Sequence, residues 1–415
     1  QIKKGRIKMF TVIDLGASGS RYTTDGGKIY ELANNMVTIP NAELTSIVPY
    51  DDNTIEESLE VFISKGGSSK YFPVHILSGN MATRFSSNND RPSVNNHKYR
   101  QAINYIQAIL IAAVAKIKVN DSSDVKLYIA TPPVETLEAQ KAFEEELTGQ
   151  FTVRFPKYKG GVEVNVNIKS VHCCEESVMA CTSFFFNMNG KIREEAKAFL
   201  TGTVLSLDIG ASTTDLAIVK NGKFLERSGQ TYKTGGNVVR DFVMEHVTST
   251  YGFDPDQEMA DTAVIEGRLQ LGNGYVEIGE VVSQAKRELA RGLTKNMETY
   301  FKRINIPIQS IRAIMVSGGG SKQSQYVSEL GEVIKTSDPM SEFVTAELQE
   351  WSPNTVVVNY GDDARLANVK GLFIRAKFDE MKEAQNNAAR NAAGATPVQP
   401  VQMNNQVRAA GTTVS

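Results

Sequence analysis

The chain has 415 residues, which at roughly 100–200 residues per domain gives two to three domains and a sizeable core, and excludes a disordered or fibrous protein. Lys and Arg number 45 against 47 Asp and Glu, a formal net charge of -2, so nothing global draws the chain to nucleic acid or an anionic membrane, and a DNA partner needs an adaptor. Three cysteines, Cys173, Cys174 and Cys181, give no disulfide framework and point to a reducing, cytoplasmic setting.

Residues 1–8 are basic, lack a long apolar run or a small-residue cleavage site, and read as a remnant or extension upstream of the first strand at Met9. That strand leads into Phe10-Thr-Val-Ile-Asp-Leu-Gly-Ala-Ser-Gly-Ser-Arg21, followed by a Gly26-Gly27 turn and a strand at Ile29-Tyr-Glu-Leu. Alternating strands follow at Ser58-Leu-Glu-Val-Phe-Ile-Ser and Lys70-Tyr-Phe-Pro-Val-His-Ile. The run Tyr105 to Ala115 is too short to span a bilayer and lies in a core helix carrying Ile103, Ile106, Leu110, Val114 and Ile117. His172-Cys-Cys-Glu-Glu invites a metal reading, but adjacent cysteines ill suit one tetrahedral zinc and no second Cys/His pair stands at ligand spacing. Core packing is the reading for these cysteines.

The first motif returns 194 positions on as Val204-Leu-Ser-Leu-Asp-Ile-Gly-Ala-Ser-Thr-Thr-Asp215, so that Asp14, Gly16, Ala17 and Ser18 recur as Asp208, Gly210, Ala211 and Ser212. An Asn221-Gly222 turn and a strand at Phe224-Leu-Glu follow, as after the first copy. Two like hairpins thus open two α/β lobes. Each turn has what a polyphosphate requires: glycine for close approach, consecutive N–H groups and hydroxyls, and an Asp at the strand end able to hold a hydrated divalent cation. Two such turns facing each other would grip one phosphate chain.

Further on, Lys233-Thr-Gly-Gly-Asn237 opens a helix from Val238 to Val247, and Gly235, Gly236 and Asn237 either cap it or add N–H groups for phosphates. A third strand, Ile311-Arg-Ala-Ile-Met-Val-Ser, ends in Gly318-Gly-Gly320, a turn against which a flat ring can lie. The next segment reads as a helix with Tyr326, Val327, Leu330, Val333 and Ile334 on one face. Residues 384–415, without aromatic, Leu, Ile or acid, read as a disordered tail. Neither Gly-x-x-x-x-Gly-Lys-Ser/Thr nor a strand-borne Gly-x-Gly-x-x-Gly occurs, which leaves a cleft between lobes as the site.

The order Asp-x-Gly turn, connecting helix, Asp-x-Gly turn, Gly-Gly element and Gly-Gly-Gly element resembles the actin, heat-shock ATPase and sugar kinase superfamily. Within it the chain looks most like the bacterial actin-like proteins of plasmid segregation, the ParM and Alp group. Ala367-Asn-Val-Lys-Gly-Leu372 is similar to a stretch those proteins carry before their last helix. The resemblance implies a two-lobed α/β fold from a duplicated βαβ core, with parallel sheets and helices on both faces. The first lobe takes residues 9–199 plus 362–382, with an inserted subdomain about 33–95; the second takes 200–361, with an inserted helical subdomain about 238–304.

The same resemblance assigns roles. Asp14 and Asp208 hold a hydrated Mg²⁺. Gly16, Ala17, Ser18, Gly19 and Ser20, with Gly210, Ala211, Ser212, Thr213 and Thr214, bind the phosphates of ATP or GTP. Arg21 falls where actins place a phosphate-contacting Lys, and Gly318, Gly319 and Gly320 face the base and ribose. Lys286 and Arg287, on a predicted helix, either offer polar contacts to the nucleoside or belong to a solvated face. Glu175-Glu-Ser-Val-Met-Ala180 resembles the Pro-Glu-Ser-Ile-Pro-Ala stretch whose Glu lies near the attacking water, which makes Glu176 the catalytic candidate and Glu175 its competitor. The function implied is a filament-forming ATPase that assembles with itself and segregates plasmid or phage-like DNA through a DNA-binding adaptor, without direct nucleic-acid or membrane contact. A sugar-type kinase of the same superfamily is the alternative.

Overall fold

A computed structural model describes residues 9–16, 19–24, 28–33, 36–38, 58–79, 82, 102–121, 123–132, 137–349 and 352–392. Its first half is built on strands β1 (Met9–Leu15), β2 (Gly19–Thr23), β3 (Tyr30–Ala33), β4 (Met36–Thr38), β5 (Ser58–Lys65), β6 (Val74–Gly79), β7 (Val125–Thr131), β8 (Gly149–Phe155) and β9 (Val162–Glu175). Among the described residues they make one nine-stranded sheet in the order β3-β2-β1-β7-β9-β8-β5-β6-β4. β1 and β7 are apolar on both faces and pair in parallel at its centre, with β9 parallel to β7. Helices α1 (Ala102–Val119), α2 (Leu137–Leu147) and α3 (Glu176–Phe185) accompany it. By length and composition α1 could cross a membrane, yet every residue from Asn104 to Lys116 is buried in the protein.

The second half repeats the plan. β10 (Thr203–Ile209), β11 (Thr214–Lys220), β12 (Lys223–Phe224) and β13 (Gln230–Tyr232) precede α4 (Asn237–Tyr251), α5 (Gln257–Glu266), the hairpin β14 (Arg268–Leu271) and β15 (Gly274–Glu277), and the long α6 (Gly279–Ile304). β16 (Ile311–Ser317), β17 (Ser324–Val327), β18 (Val333–Ser337), α7 (Met340–Leu348), β19 (Val356–Asn359) and α8 (Ala367–Ala392) complete it. The second sheet runs β12-β11-β10-β16-β19, with β13 also on β11.

The repeat extends to the register. Asp14 pairs with Arg21 across β1–β2, and Asp208 with Asp215 across β10–β11, so each motif aspartate sits at the same place in its hairpin, and Gly210-Ala-Ser-Thr213 is itself the turn of the second. The strands after Gly26-Gly27 and Asn221-Gly222 are third strands, β3 and β12, added at the outer edges.

The strands expected in an inserted subdomain about 33–95, β5 and β6, join the first sheet through β8. Two expectations change. The expected helix at 326–334 is the hairpin β17–β18. Its apolar residues are symmetric about Leu330, with Tyr326 opposite Ile334 and Val327 opposite Val333, a pattern that a helix period also reads. The tail expected to be disordered from 384 is helical to Ala392, since its Ala, Gln and Arg residues favour helix and continue the helix begun at Ala367; residues 393–415 lie outside the described residues. The described part of α8 from Lys377 onward falls outside the compact unit that ends at Ala376.

Two helices seam the sheets together within the larger unit. Met179 of α3 packs with Val12, Tyr128, Val369 and Phe373, on the first-sheet side. One turn on, Cys181, Phe184 and Phe185 pack with Val204, Val219, Ala313 and Met315 of the second sheet. Gly371 lets α8 approach α3 so closely that a Cβ there would run into the Met179 carbonyl. The first residue of α3 is thereby fixed between the two sheets.

Candidate functional site

The two central strands β1 and β10 each deliver an aspartate at their carboxyl end, the edge at which open α/β sheets bind ligands. Asp14 and Asp208 are each 5% exposed. Asp14 Oδ2 lies 3.6 Å from the Arg21 guanidinium, which also reaches Glu31 at 3.2 Å. Glu31 in turn bonds Arg365. Arg21 Nε is buried with no hydrogen-bond partner, a donor left over for an anion.

Asp208 is held by neutral donors instead. Asn368 Nδ2 donates to Oδ2 at 2.8 Å and Ser317 Oγ to Oδ1 at 3.3 Å. Burial, then the neighbouring Glu176 carboxylate, then Asp14 push its carboxyl up to about 7, against the pull of Asn368 and Ser317. Three acids thus converge: Glu176, the buried first residue of α3, and the two aspartates. Glu175, the last residue of β9, is separated from this group in character: burial alone pushes it up to about 7, and its Oε2 has no hydrogen-bond partner.

The second turn is enclosed by backbone. Gly210 N donates to Thr213 O at 2.8 Å, Gly236 N to Gly210 O at 2.9 Å, and Asn237 N to Ala211 O at 2.6 Å. Asn237 Nδ2 reaches Ser212 Oγ at 2.8 Å, and Thr214 Oγ1 reaches Thr234 O at 2.6 Å. A Cβ on Gly235 would stand 2.7 Å from Gly210 O, and one on Gly320 3.0 Å from it. The Gly235–Asn237 and Gly318–Gly320 elements therefore both rest on the Gly210–Thr214 turn. In the first turn Gly16 is as tight, its Cβ position 2.6 Å from Gly19 O, and Ser20 is buried on β2. Ala17 and Ser18 lie outside the described residues.

Lys286 and Arg287 both have partners within the protein. Lys286 is buried, not part of a solvated face, and its Nζ donates at 3.0 Å to Lys322 O, 3.1 Å to Ser324 Oγ and 3.0 Å to Asp338 O. Burial lowers its pKa to about 8. Arg287 pairs at the surface with Glu280 at 3.0 Å. Four residues with roles at the site were not singled out from sequence. Asn368 stands in the quoted Ala367–Leu372 stretch, where an amide at a helix start was the signal, and Ser317 precedes the triple glycine. Glu31 and Arg365 carried no local signal.

Among the described residues no group of three or more His, Cys, Asp and Glu side chains is arranged to ligate a metal directly. The donors fit a phosphate chain: glycine cradles that a Cβ would fill, a spare guanidinium N–H, and carboxylates whose mutual repulsion a hydrated cation relieves.

Residues 206–327 match the family model of the archaeal actin homologue MreB-like C-terminal domain. No curated protein sequence matches the chain. Among solved structures, the actin-like protein Alp7A is 18% identical with a TM-score of 0.69, covering 92% of this chain and 100% of that one. ParM in a 15-stranded filament from Clostridium botulinum is 16% identical with a TM-score of 0.62, covering 89% and 99%. Bacillus thuringiensis ParM with AMPPNP is 15% identical with a TM-score of 0.63, covering 90% and 99%. The chain has an actin-like fold, similar to the ParM and Alp7A structures.

Proposed function

We propose that the chain is a Mg-dependent ATPase that assembles head to tail into nucleotide-dependent filaments in the cytoplasm and moves plasmid or phage-like DNA through a DNA-binding adaptor. The observation that carries this reading is the convergence of Asp14, Asp208 and Glu176 between two glycine turns that share Asp-x-Gly-Ala-Ser in the same register. The ParM structures with AMPPNP and in a filament support nucleotide use and self-assembly for this fold. The near-neutral charge favours reaching DNA through an adaptor.

In this reading the Gly16–Ser20 and Gly210–Thr214 turns hold the phosphates, Arg21 turns its unpartnered Nε toward them, and Gly318–Gly320 backs the base and ribose. Asp14 and Asp208 would hold Mg²⁺ through water, and the ion when bound neutralises charge on the phosphates. Glu176 accepts a hydrogen bond from the attacking water and orients it, a role for which one fixed carboxylate suffices. Its placement at the seam of α3 ties that orientation to the closing of one sheet on the other, the kind of motion that couples a site to assembly.

Light scattering and sedimentation with Mg-ATP or Mg-GTP, followed by electron microscopy, test the reading. Glu176→Ala should bind nucleotide almost normally and turn it over at least about tenfold more slowly, with longer-lived filaments. A wild-type chain that stays monomeric with either nucleotide and phosphorylates a sugar overturns it.

A further inference from the structure

The hairpin β17–β18 exposes Val327, Val333 and, at its tip, Leu330, which is 87% exposed. Val327 and Val333 pair directly across the strands and so share one face; the next pair, Tyr326 and Ile334, takes the opposite, half-buried face, where Tyr326 stacks on Arg268 at 3.8 Å. The tip is rigid: Ser328 N donates to Glu332 O at 2.8 Å, Gly331 N to Ser328 O at 2.9 Å, and Glu332 N to Ser328 Oγ at 3.1 Å. Glu329 and Glu332 flank Leu330, and neither carboxylate has an ion-pair partner among the described residues. The result is a preformed apolar knob with an acidic collar.

A pocket of about 740 Å³ has the complementary character. Its apolar lining is Phe301, Ile306, Pro307 and Ile308. Lys295 and Lys302 at its rim share one acid, Glu298, which leaves that rim positive; Arg291 is engaged by Glu288 and Glu347. Knob and pocket stand at opposite ends of one rigid element. Lys286, in the second turn of α6, is bonded to the first residue of β17, whereas the pocket is formed by the last turns of α6 and the segment after it. With 26 residues α6 is about 39 Å long. A knob at one end and its complement at the other give a heterologous contact, which propagates head to tail as an open filament wherever the rotation between copies does not close a ring.

We infer that the β17–β18 tip of one copy inserts into the pocket at the carboxyl end of α6 in the next copy, with Leu330 as the buried anchor and Glu329 and Glu332 set against Lys295 and Lys302. This inference rests on the filament reading and names the contact that would build the filament. The rigid turn lowers the ordering cost of such a contact, and the paired charges set its polarity.

The test uses the full chain with Mg-ATP, reading critical concentration by sedimentation, with nucleotide binding and cooperative melting as checks on folding. Leu330→Asp should raise the critical concentration at least about tenfold, as loss of a central anchor does. Glu329→Lys with Glu332→Lys, and separately Lys295→Glu with Lys302→Glu, should each weaken assembly, and the four changes combined should restore it. Wild-type filaments together with variants of unchanged critical concentration overturn this contact alone, as does a fourfold variant that stays unassembled. Unchanged assembly with loss of bundling would assign the knob to contacts between filaments and also overturn it. A wild-type chain that never sediments with nucleotide overturns the filament reading itself, and the contact with it.

Discussion

Asp14 stands opposite Arg21 on β2, and Asp208 stands opposite Asp215 on β11, in the same register 194 residues apart. The exchange of one arginine for one aspartate at matched positions reorganises everything around it. In the first turn the carboxylate is neutralised within its own hairpin, and the web continues outward through side chains, from Arg21 to Glu31 to Arg365. In the second, Asp215 turns to Thr231, and Asp208 is left with Ser317 and Asn368 beside two other acids. The first turn is closed by charged side chains and the second by glycine backbone. A duplicated motif thus yields a side-chain web on one side and a backbone floor on the other.

The largest effect should come from testing that floor. Gly318 has φ +89° and ψ 164°, a region open essentially to glycine, and a Cβ there would run into the Ile209 carbonyl and Asp208 Oδ1. Gly318→Ala should cost more than about 3 kcal/mol of stability. Gly19→Ala, whose Cβ meets only the end of the Glu31 side chain at 2.8 Å, should cost under about 1 kcal/mol. Chemical denaturation measures both, and equal losses would break the distinction.

Charge removal separates the two aspartates next. Asp14→Asn strips a buried guanidinium of one of its two carboxylates and should destabilise the free protein by about 2 kcal/mol. Asp208→Asn relieves crowding among three acids and should leave melting unchanged or raised, although both variants should lose Mg-nucleotide affinity. Thermal melts of the nucleotide-free variants check the sign, and a fall for Asp208→Asn would mean that its neutral donors outweigh the repulsion.

How much of this could be read in advance depends on range. The repeat, both turns, the two further glycine elements and the acid at the start of α3 are local patterns, and the structure brings them together around Asp208. Whatever depends on distant residues stayed hidden. Glu31 and Arg365 meet across 334 positions, and Lys286 reads as a solvated lysine until three acceptors from the 322–338 segment surround it. The misread hairpin has another cause: five apolar residues centred on Leu330 satisfy a helix period and a mirror-symmetric strand pairing alike, and only Ser328 and Gly331 mark the turn.

The asymmetry extends to the adjacent acids at the seam, and here the expected effect is smallest. Glu176 faces Asp208, while Glu175 ends β9 on the first sheet and caps α3 without a side-chain cap bond. A helix N-terminus favours a charged carboxylate, yet burial wins and raises Glu175 from 4.5 to about 7. A folded pKa above the unfolded one means that the folded state binds the proton more tightly. The stabilisation is therefore complete below pH 4.5 and is lost as pH rises through about 7. Glu175→Gln fixes the neutral form, so its stability relative to wild type should rise between about pH 5 and about pH 8, by about 1 kcal/mol once partial exposure is allowed for. Turnover should stay within about twofold of wild type, unlike that of Glu176→Ala. A pH-independent difference would show that Glu175 is not neutralised by burial, and a large loss of turnover would transfer the role of orienting the water from Glu176 to Glu175.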